Sequence, residues 1–256
     1  MQRLSVIIIT HNEEEIIGRT LAAVIEITDD IIVVDNGSND RTLDIAKSFG
    51  ARIIQTSWDG FGKNKNKGIV MANHDWILSI DADELLDETL KAALIHNSFQ
   101  DPSEVFTLKF RTFIAGVGLR YGQGTSEKHI RIFNKSFTRW NDAEVHEELL
   151  LPKGTKILQF PGYVEHHSYK DIRDYMQKCN AYTSLRAMEM LREGKKVNMF
   201  KLYLNPLYTF ILNYFFRLGF LDGFWGYTYA KLSSTYHYLK YAKLKELNFK
   251  ERKGML

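Results

Sequence analysis

The chain has 256 residues, 45% apolar and 25% charged, with one cysteine and a formal charge of +3. That composition belongs to a folded globular protein, one extended domain or a domain plus an appendage, and it excludes collagen-like, low-complexity and disordered chains. Cys179 is alone, so no internal disulfide can form, and MQRLSVIIITHNEEE reaches acidic residues before a signal-peptide core is complete; a reducing, cytoplasmic setting is expected.

Up to residue 100, short β-branched runs alternate with helix-period segments, the pattern of βαβ units on a mainly parallel sheet. Leu4 to Thr10 reads as the first strand. Glu13 to Glu26 carries Ile16, Ile17, Thr20, Leu21, Val24 and Ile25 at helical spacing and can lie against a sheet face. Ile31 to Asp35 is the second strand. Asp40 is placed to cap a helix that stops before Gly50, a residue suited to the C′ position. Arg52 to Gln55, Lys63 to Ala72 and Trp76 to Ile80 follow as strand, helix and central strand. Beyond Asp101, Val105 to Phe113 and Lys128 to Phe133 read as strands around the glycine-rich GVGLRYGQG, and Ile157 to His167 has room for two more, which gives a mixed sheet. Helices are expected over Asp171 to Arg192, over Phe200 to Leu218 with a break near Pro206, and over Asp222 to Glu246.

Ligands of open α/β sheets bind beyond the carboxyl ends of the strands. Those ends read Thr10-His11-Asn12-Glu13, Asp35-Asn36-Gly37-Ser38-Asn39-Asp40 and Asp81-Ala82-Asp83-Glu84. No glycine follows the first strand before Gly18, which counts against a G-x-G-x-x-G dinucleotide site. In WILSIDADE two carboxylates at i and i+2 leave an apolar strand together and can reach one hard cation. Mg²⁺ or Mn²⁺ takes such oxygens and keeps positions open for phosphate. The competing reading is a solvated turn that caps the next helix.

Taken together, LSVIIITHNEE, IIVVDNGSNDRT, GFGKNKNKG and WILSIDADE resemble glycosyltransferase family 2 in order and spacing, the inverting nucleotide-sugar transferases of the GT-A fold. The chain is further similar to the lipopolysaccharide-core glucosyltransferase branch through GVGLRYGQGTSEKHIRIF, Val145-His146-Glu147, Glu165-His166-His167-Ser168-Tyr169 and FLDGFWGYTYA. The resemblance implies an α/β GT-A mixed sheet with helices on both faces and a C-terminal helical extension. The catalytic domain would cover residues 1–170, with a nucleotide-binding half at 1–100 and an acceptor and base half at 101–170, and the extension 171–256. The activity implied is metal-dependent transfer of a hexose from a UDP-sugar to a saccharide or lipid-linked saccharide, in lipopolysaccharide core or other surface-glycan synthesis.

The same resemblance implies roles for particular residues. Thr10, Asn12 and Glu13 would line the base pocket, and Asp35 would accept the uracil N3–H, a donor that cytosine lacks. Asp35 can instead simply form the turn before Asn36-Gly37. Lys63 and Lys65 either approach the diphosphate or are solvated. Asp81 faces the ribose or the metal and its water shell, Asp83 ligates Mg²⁺ or Mn²⁺, and His166, ahead of His167, supplies a further ligand. Such an ion offsets the charge on departing UDP. An inverting transfer needs one base for the acceptor hydroxyl. Glu147 is the first choice, Asp142 the second and Glu148 the third, the more familiar Glu-Asp pair of the family being absent.

Gly116 to Gly124 holds four glycines in nine residues. It is either an acceptor loop, with Arg120 and Arg131 serving a phosphate or an anionic acceptor, or an ordinary flexible connection. Residues 195–256 carry eleven Lys or Arg against three acids, a local charge of +8. The aromatics among them suit amphipathic helices at an anionic bilayer, or else a helical core with solvated lysines. Leu202 to Phe216, 15 residues interrupted by Asn205, Pro206 and Asn213, falls short of a membrane span. The membrane reading is therefore peripheral attachment at the cytoplasmic face of the inner membrane. Nucleic acid is not an expected partner, because no RNA-recognition signature is present. Two other classes remain: a non-catalytic membrane-associated binding protein that retains the fold, and a sugar nucleotidyltransferase, against which the lack of a Gly-rich basic loop after the first strand counts.

Overall fold

The computed structural model describes residues 4–125, 127–141 and 147–255. The chain divides into two compact units, one of residues up to Phe110 with Glu127–His166, the other of the segment from Arg111 to Ser126 with everything from His167 onward. The glycine-rich segment thus belongs with the C-terminal helices rather than with the rest of residues 101–170.

The first unit opens with β1 (Leu4–Thr10), α1 (Ile17–Val24), β2 (Asp30–Asp35), α2 (Thr42–Ser48), β3 (Arg52–Gln55), α3 (Phe61–Met71) and β4 (Trp76–Asp81). β1 lies between β2 and β4, and β3 lies outside β2, all parallel. The chain continues with β5 (Glu84–Leu86), α4 (Glu88–His96), β6 (Glu104–Ile114), β7 (Val117–Gly118, within the second unit), β8 (Lys128–Asn134) and β9 (Lys156–Tyr169). The strand order is β3-β2-β1-β4-β8-β6-β9-β5, with β7 on β6. β8 is antiparallel to β4 and β6, and β5 to β9, so the sheet is mixed.

Alternation along β1 explains how both faces are covered. Leu4, Val6 and Ile8 join the core that includes Ile17 and Leu21 of α1, Ala46 of α2 and Leu90 and Leu94 of α4. Ile7 and Ile9 point the other way, into the core that includes Ile69 of α3. A strand buried on both faces is apolar almost throughout, and every residue of β1 is buried. Gly68 lets α3 lie close to the sheet, because a Cβ there would stand 2.4 Å from Ile7 Cγ2 and 2.9 Å from Val34 Cγ2.

Several expected boundaries shift. α1 begins at Ile17, after a turn whose Glu13 carbonyl accepts from Ile16 and Ile17. The residue at the N-cap of α2 is Arg41, although Asp40 Oδ1 still accepts from Thr42 N at 3.0 Å, and Gly50 has the left-handed φ of 73° expected after the helix. Ile157 to His167, expected as two strands, is part of the single strand β9. Gly162 within it has φ 83° and makes room for a neighbour rather than a turn: a Cβ would meet Asp87 Oδ1 and Leu90 N at 2.5 Å.

The second unit contains α5 (Ile172–Arg192), α6 (Met199–Ile211) and α7 (Gly223–Arg252). Ala187 and Met190 of α5 pack on Leu244 of α7, and Lys243 Nζ donates to Asn180 O at 2.6 Å and Thr183 Oγ1 at 2.8 Å. Pro206 does not break α6. It is buried inside the helix, and its carbonyl accepts from Ser234 Oγ of α7 at 2.8 Å, so packing overrides the local preference. The break comes after a π turn over Leu212–Phe216, at Leu218 with φ 60°. No described helix is long and apolar enough to cross a membrane.

Candidate active site

At the carboxyl ends of β1 and β2 the polar residues mostly hold one another. Asn12, with φ 54°, donates its N–H to Ser38 Oγ at 2.8 Å and accepts at Oδ1 from Asn39 N at 2.9 Å. Glu13 N donates to Thr42 Oγ1 at 2.8 Å. Asp35 is buried and forms the turn, its Oδ2 accepting from Gly37 N at 3.0 Å and Ser38 N at 3.1 Å. Asn64 of α3 reaches the same loop, donating to Asn36 Oδ1 at 2.8 Å. Thr10 is buried at the rim, and its Oγ1 has no hydrogen-bond partner. These loops are thus held by their own hydrogen bonds.

Charge collects at the end of β4. The apolar run from Trp76 to Ile80 places this strand beside β1 and β8, which delivers Asp81 to the carboxyl edge. Lys65, on the sheet-facing side of α3, is fully buried, with Nζ 2.7 Å from Glu147 Oε1 and 3.4 Å from Asp81 Oδ1. The Trp140 ring covers it, 4.8 Å from Nζ to the centroid. Gly62, one turn back, makes room for Asn141 and Glu147: a Cβ there would fall 2.0 Å from the Asn141 carbonyl oxygen and 3.4 Å from Glu147 Cβ. Arg131 of β8 is buried with Nη2 2.6 Å from Glu84 Oε1 and 3.9 Å from Asp81 Oδ2, and Glu84 Oε2 accepts from Asp81 N at 2.9 Å.

Charges removed from water persist only when paired, and each group here is held by its neighbours. Burial pushes the Asp81 carboxyl up, but Lys65, Arg131 and His166 outweigh it and hold it below the ordinary carboxylate range. Glu84 goes the other way: burial raises it, Arg131 offsets only part, and the Asp81 and Asp83 carboxylates add to the rise. Burial opposes the charge on Arg131, while Glu84, Asp81 and Glu147 more than restore it.

Asp83, just beyond Asp81, meets His166 of β9, with Oδ2 3.4 Å from Nε2. Burial disfavours the imidazolium, yet the Asp83 hydrogen bond and the nearby Glu84 and Asp81 charges lift His166 to about 9. Among the described residues no three His, Cys, Asp or Glu side chains close around one point. The pair nevertheless fits a divalent ion, since cis donors on an octahedral ion with ~2.1 Å bonds lie ~3.0 Å apart and the other positions go to water or phosphate. Asp81 Oδ1 is buried, with the Lys65 ammonium 3.4 Å away but no hydrogen bond of good geometry.

Beside Glu147 a cleft of about 550 Å³ is lined by His129, Arg131, Trp140, Glu148 and Leu149, among others. A larger cavity of about 750 Å³, at Trp76 and Asn134, lies at the opposite strand ends and holds none of these groups. Of the expected site residues, Lys65, Asp81, Asp83, Arg131, Glu147 and His166 come together. Lys63 is exposed on α3 and outside the cluster, and Glu148 is exposed. Arg120 belongs to the second unit, where its N–H donates to Asp222 Oδ2 at 2.9 Å. Asp142 lies outside the described residues. Glu84 and Trp140 were missed. Glu84 was visible as the third acid of the Asp-Ala-Asp-Glu run, while nothing around Trp140 in the sequence marked it.

The sequence model described as Glycosyl transferase family 2 matches residues 5–151, which takes in every member of the cluster except His166. The chain belongs to glycosyltransferase family 2. An uncharacterized glycosyltransferase of Rickettsia typhi is 33% identical over 98% of this chain and 90% of its own length. The lipopolysaccharide core biosynthesis glycosyltransferase LpsC of Rhizobium meliloti is 26% identical over 94% of this chain and 91% of its own. Among solved structures, glucosyl-3-phosphoglycerate synthase of Mycobacterium tuberculosis, in complex with Mn²⁺, UDP-glucose and phosphoglyceric acid, is 22% identical with a TM-score of 0.36, over 44% of each chain. As a family 2 glycosyltransferase the chain has the α/β fold its motifs imply, with β4 delivering its acidic run to the carboxyl edge of the sheet.

Proposed function

We propose that this glycosyltransferase is an inverting, metal-dependent hexosyltransferase that uses a UDP-sugar, and that its acceptor is a saccharide or lipid-linked saccharide of the lipopolysaccharide core or another surface glycan. It would act in the cytoplasm, at the inner membrane when the acceptor is lipid-linked. The observation that carries this reading is the buried Lys65, which ties Glu147 to Asp81 and so links a candidate base to the acidic end of β4.

In this reading the acceptor hydroxyl lies in the cleft beside Glu147 and its oxygen attacks the anomeric carbon. The bond from that carbon to the diphosphate breaks, the hydroxyl proton passes to the Glu147 carboxylate, and UDP leaves with the bonding pair. Lys65 fixes where Glu147 points. Asp83 and His166, with Asp81 alongside, would hold Mg²⁺ or Mn²⁺, whose contribution when bound is to neutralise charge on the departing diphosphate. Asp35 and Thr10 would meet the uracil. Arg131, already committed to Glu84, shapes the site rather than reaching for a phosphate.

Thermal unfolding with UDP, CDP, GDP and ADP, each with and without Mn²⁺, tests the proposal. A ligand at about 100 times its Kd adds roughly 2.7 kcal/mol. UDP with Mn²⁺ is expected to raise the midpoint, UDP alone much less, and Asp83→Ala to remove the metal-dependent part. An equal response to CDP would overturn the uracil assignment. No response to any nucleotide would favour a non-catalytic binding protein with this fold.

A further inference from the structure

The second unit reverses the usual placement of apolar residues on one helix. On α6 the buried positions are Leu202, Pro206 and Thr209, packed inward, with Asn205 Nδ2 donating to Tyr241 of α7 at 3.1 Å. The opposite positions, Phe200, Tyr203, Leu204, Leu207 and Tyr208, recur at helical spacing and are all exposed, Phe200 at 72% and Tyr208 at 63%. Just past the helix Phe216 is 76% exposed. Isolated exposed apolar side chains are commonplace, but a contiguous stripe of them marks an interaction surface.

Charge narrows the choice of partner. Residues 194–221 contain Lys195, Lys196, Lys201 and Arg217 and no acid at all. Lys195 pairs with Glu193, while Lys201 and Arg217 lie exposed at either end of the stripe. Aromatic and leucine side chains flanked by cations, with no acid between, complement a surface that is apolar beneath and negative at its rim, which describes an anionic bilayer. Tyrosine adds a ring that can enter the acyl boundary while its hydroxyl stays wet. At 13 residues α6 is about 20 Å long, too short to cross a hydrocarbon core of about 30 Å, so it would lie in the interface plane.

We propose that the outward face of α6 is a membrane-docking surface that seats on anionic lipid, with the helix parallel to the bilayer and its aromatic side chains in the headgroup region. The proposal rests on the reading of a lipid-linked acceptor only for its biological sense. Its test reads lipid binding directly, so failure of the sugar-transfer reading would leave it standing.

The full chain is sedimented with sucrose-loaded vesicles of phosphatidylcholine alone and of phosphatidylcholine with 30% phosphatidylglycerol, as wild type and as the double variant Phe200→Ser, Leu207→Ser. Both side chains are exposed, so the variant should keep the wild-type unfolding midpoint. At least tenfold stronger partition onto the anionic vesicles is expected, with at least a tenfold loss in the double variant. Equal binding to both vesicle types, no binding to either, or binding that the double variant keeps would each overturn the proposal. Light scattering in solution examines the rival occupant. A dimer that the double variant dissociates, without vesicle binding, would make this face an interface between copies of the chain and overturn membrane docking.

Discussion

The two units of this chain depart from ordinary burial in opposite directions. The first removes charge from water: Lys65 is fully enclosed, and Glu84 and Arg131 are nearly so, in a sheet whose central strands are otherwise aliphatic. The second leaves phenylalanine, tyrosine and leucine in water along α6 while burying Thr209 and Asn213 on the side that packs. A protein tolerates either arrangement only at a cost. In the first unit the buried charges are held in mutual register, so the site is organised before substrate arrives. In the second, the free energy of covering the apolar face is left unspent within the fold.

The contrast breaks most sharply at Glu147. If the cluster exists for chemistry, Glu147→Gln should lower transfer by about 10²–10⁴-fold, the scale of general base catalysis, while UDP affinity stays near wild type. Transfer rates with donor in excess, beside calorimetric UDP binding, separate the two effects. Retained turnover would move the base to Asp142 or Glu148.

Lys65 comes next, because it serves fold and site together. Lys65→Met keeps most of the side-chain volume but leaves Glu147 and Asp81 without their shared cation, and one-sided loss of a buried pair costs about 3–5 kcal/mol. Urea unfolding should show that loss. An unchanged midpoint would mean that water reaches the cluster and that its charges are not truly enclosed.

How much of this was legible beforehand follows from which forces act locally. β1 and β3 were readable to the residue, since each is a short apolar run closed by polar residues. The Asp81 and Asp83 positions were equally plain, as the end of an apolar strand. Choosing between Lys63 and Lys65 was beyond the sequence, because both are lysines near a helix start and only the pose of α3, set by Gly62 and Gly68, buries one and exposes the other. Glu84 escaped because β5 has three residues and is defined by its pairing with β9, a contact about 80 residues away along the chain: Glu84 opposes His166. Ile157 to His167 had room for two strands and proved to be part of one, with Gly162 giving clearance to α4. Pro206 looked like a break and was overruled by packing on α7.

The second unit supplies a test within one helix. Leu202, on the packed face of α6, is 4% exposed, and Leu202→Ala should cost about 2–5 kcal/mol, whereas Phe200→Ser two residues away should change stability by no more than about 0.5 kcal/mol. Denaturant midpoints of the two variants measure the difference directly. A large loss from Phe200→Ser would show that this face is packed in solution, and the contrast between the units would shrink to the charge cluster alone.

The smallest effect is expected where a charge pair sits conventionally, on the surface of the first unit. Lys156 Nζ donates to Asp101 Oδ2 at 2.8 Å, and Ser103 donates to Oδ1 through its hydroxyl at 2.7 Å and its N–H at 2.9 Å. These contacts, the Lys156 bond foremost, hold the Asp101 carboxyl down to about 2 from an ordinary 3.8. A carboxyl depressed in the folded state contributes stability that is present above its unfolded value and is lost as the pH falls through the folded one. Asp101→Asn should therefore lower the unfolding midpoint slightly at pH 6, and the gap from wild type should close between about pH 4 and pH 2. Water and salt screen this pair, so the change should be far below that of Lys65→Met and should diminish further in 0.5 M salt. If Asp101→Asn matched Lys65→Met, enclosure would not be what distinguishes the cluster at β4 from an ordinary surface pair.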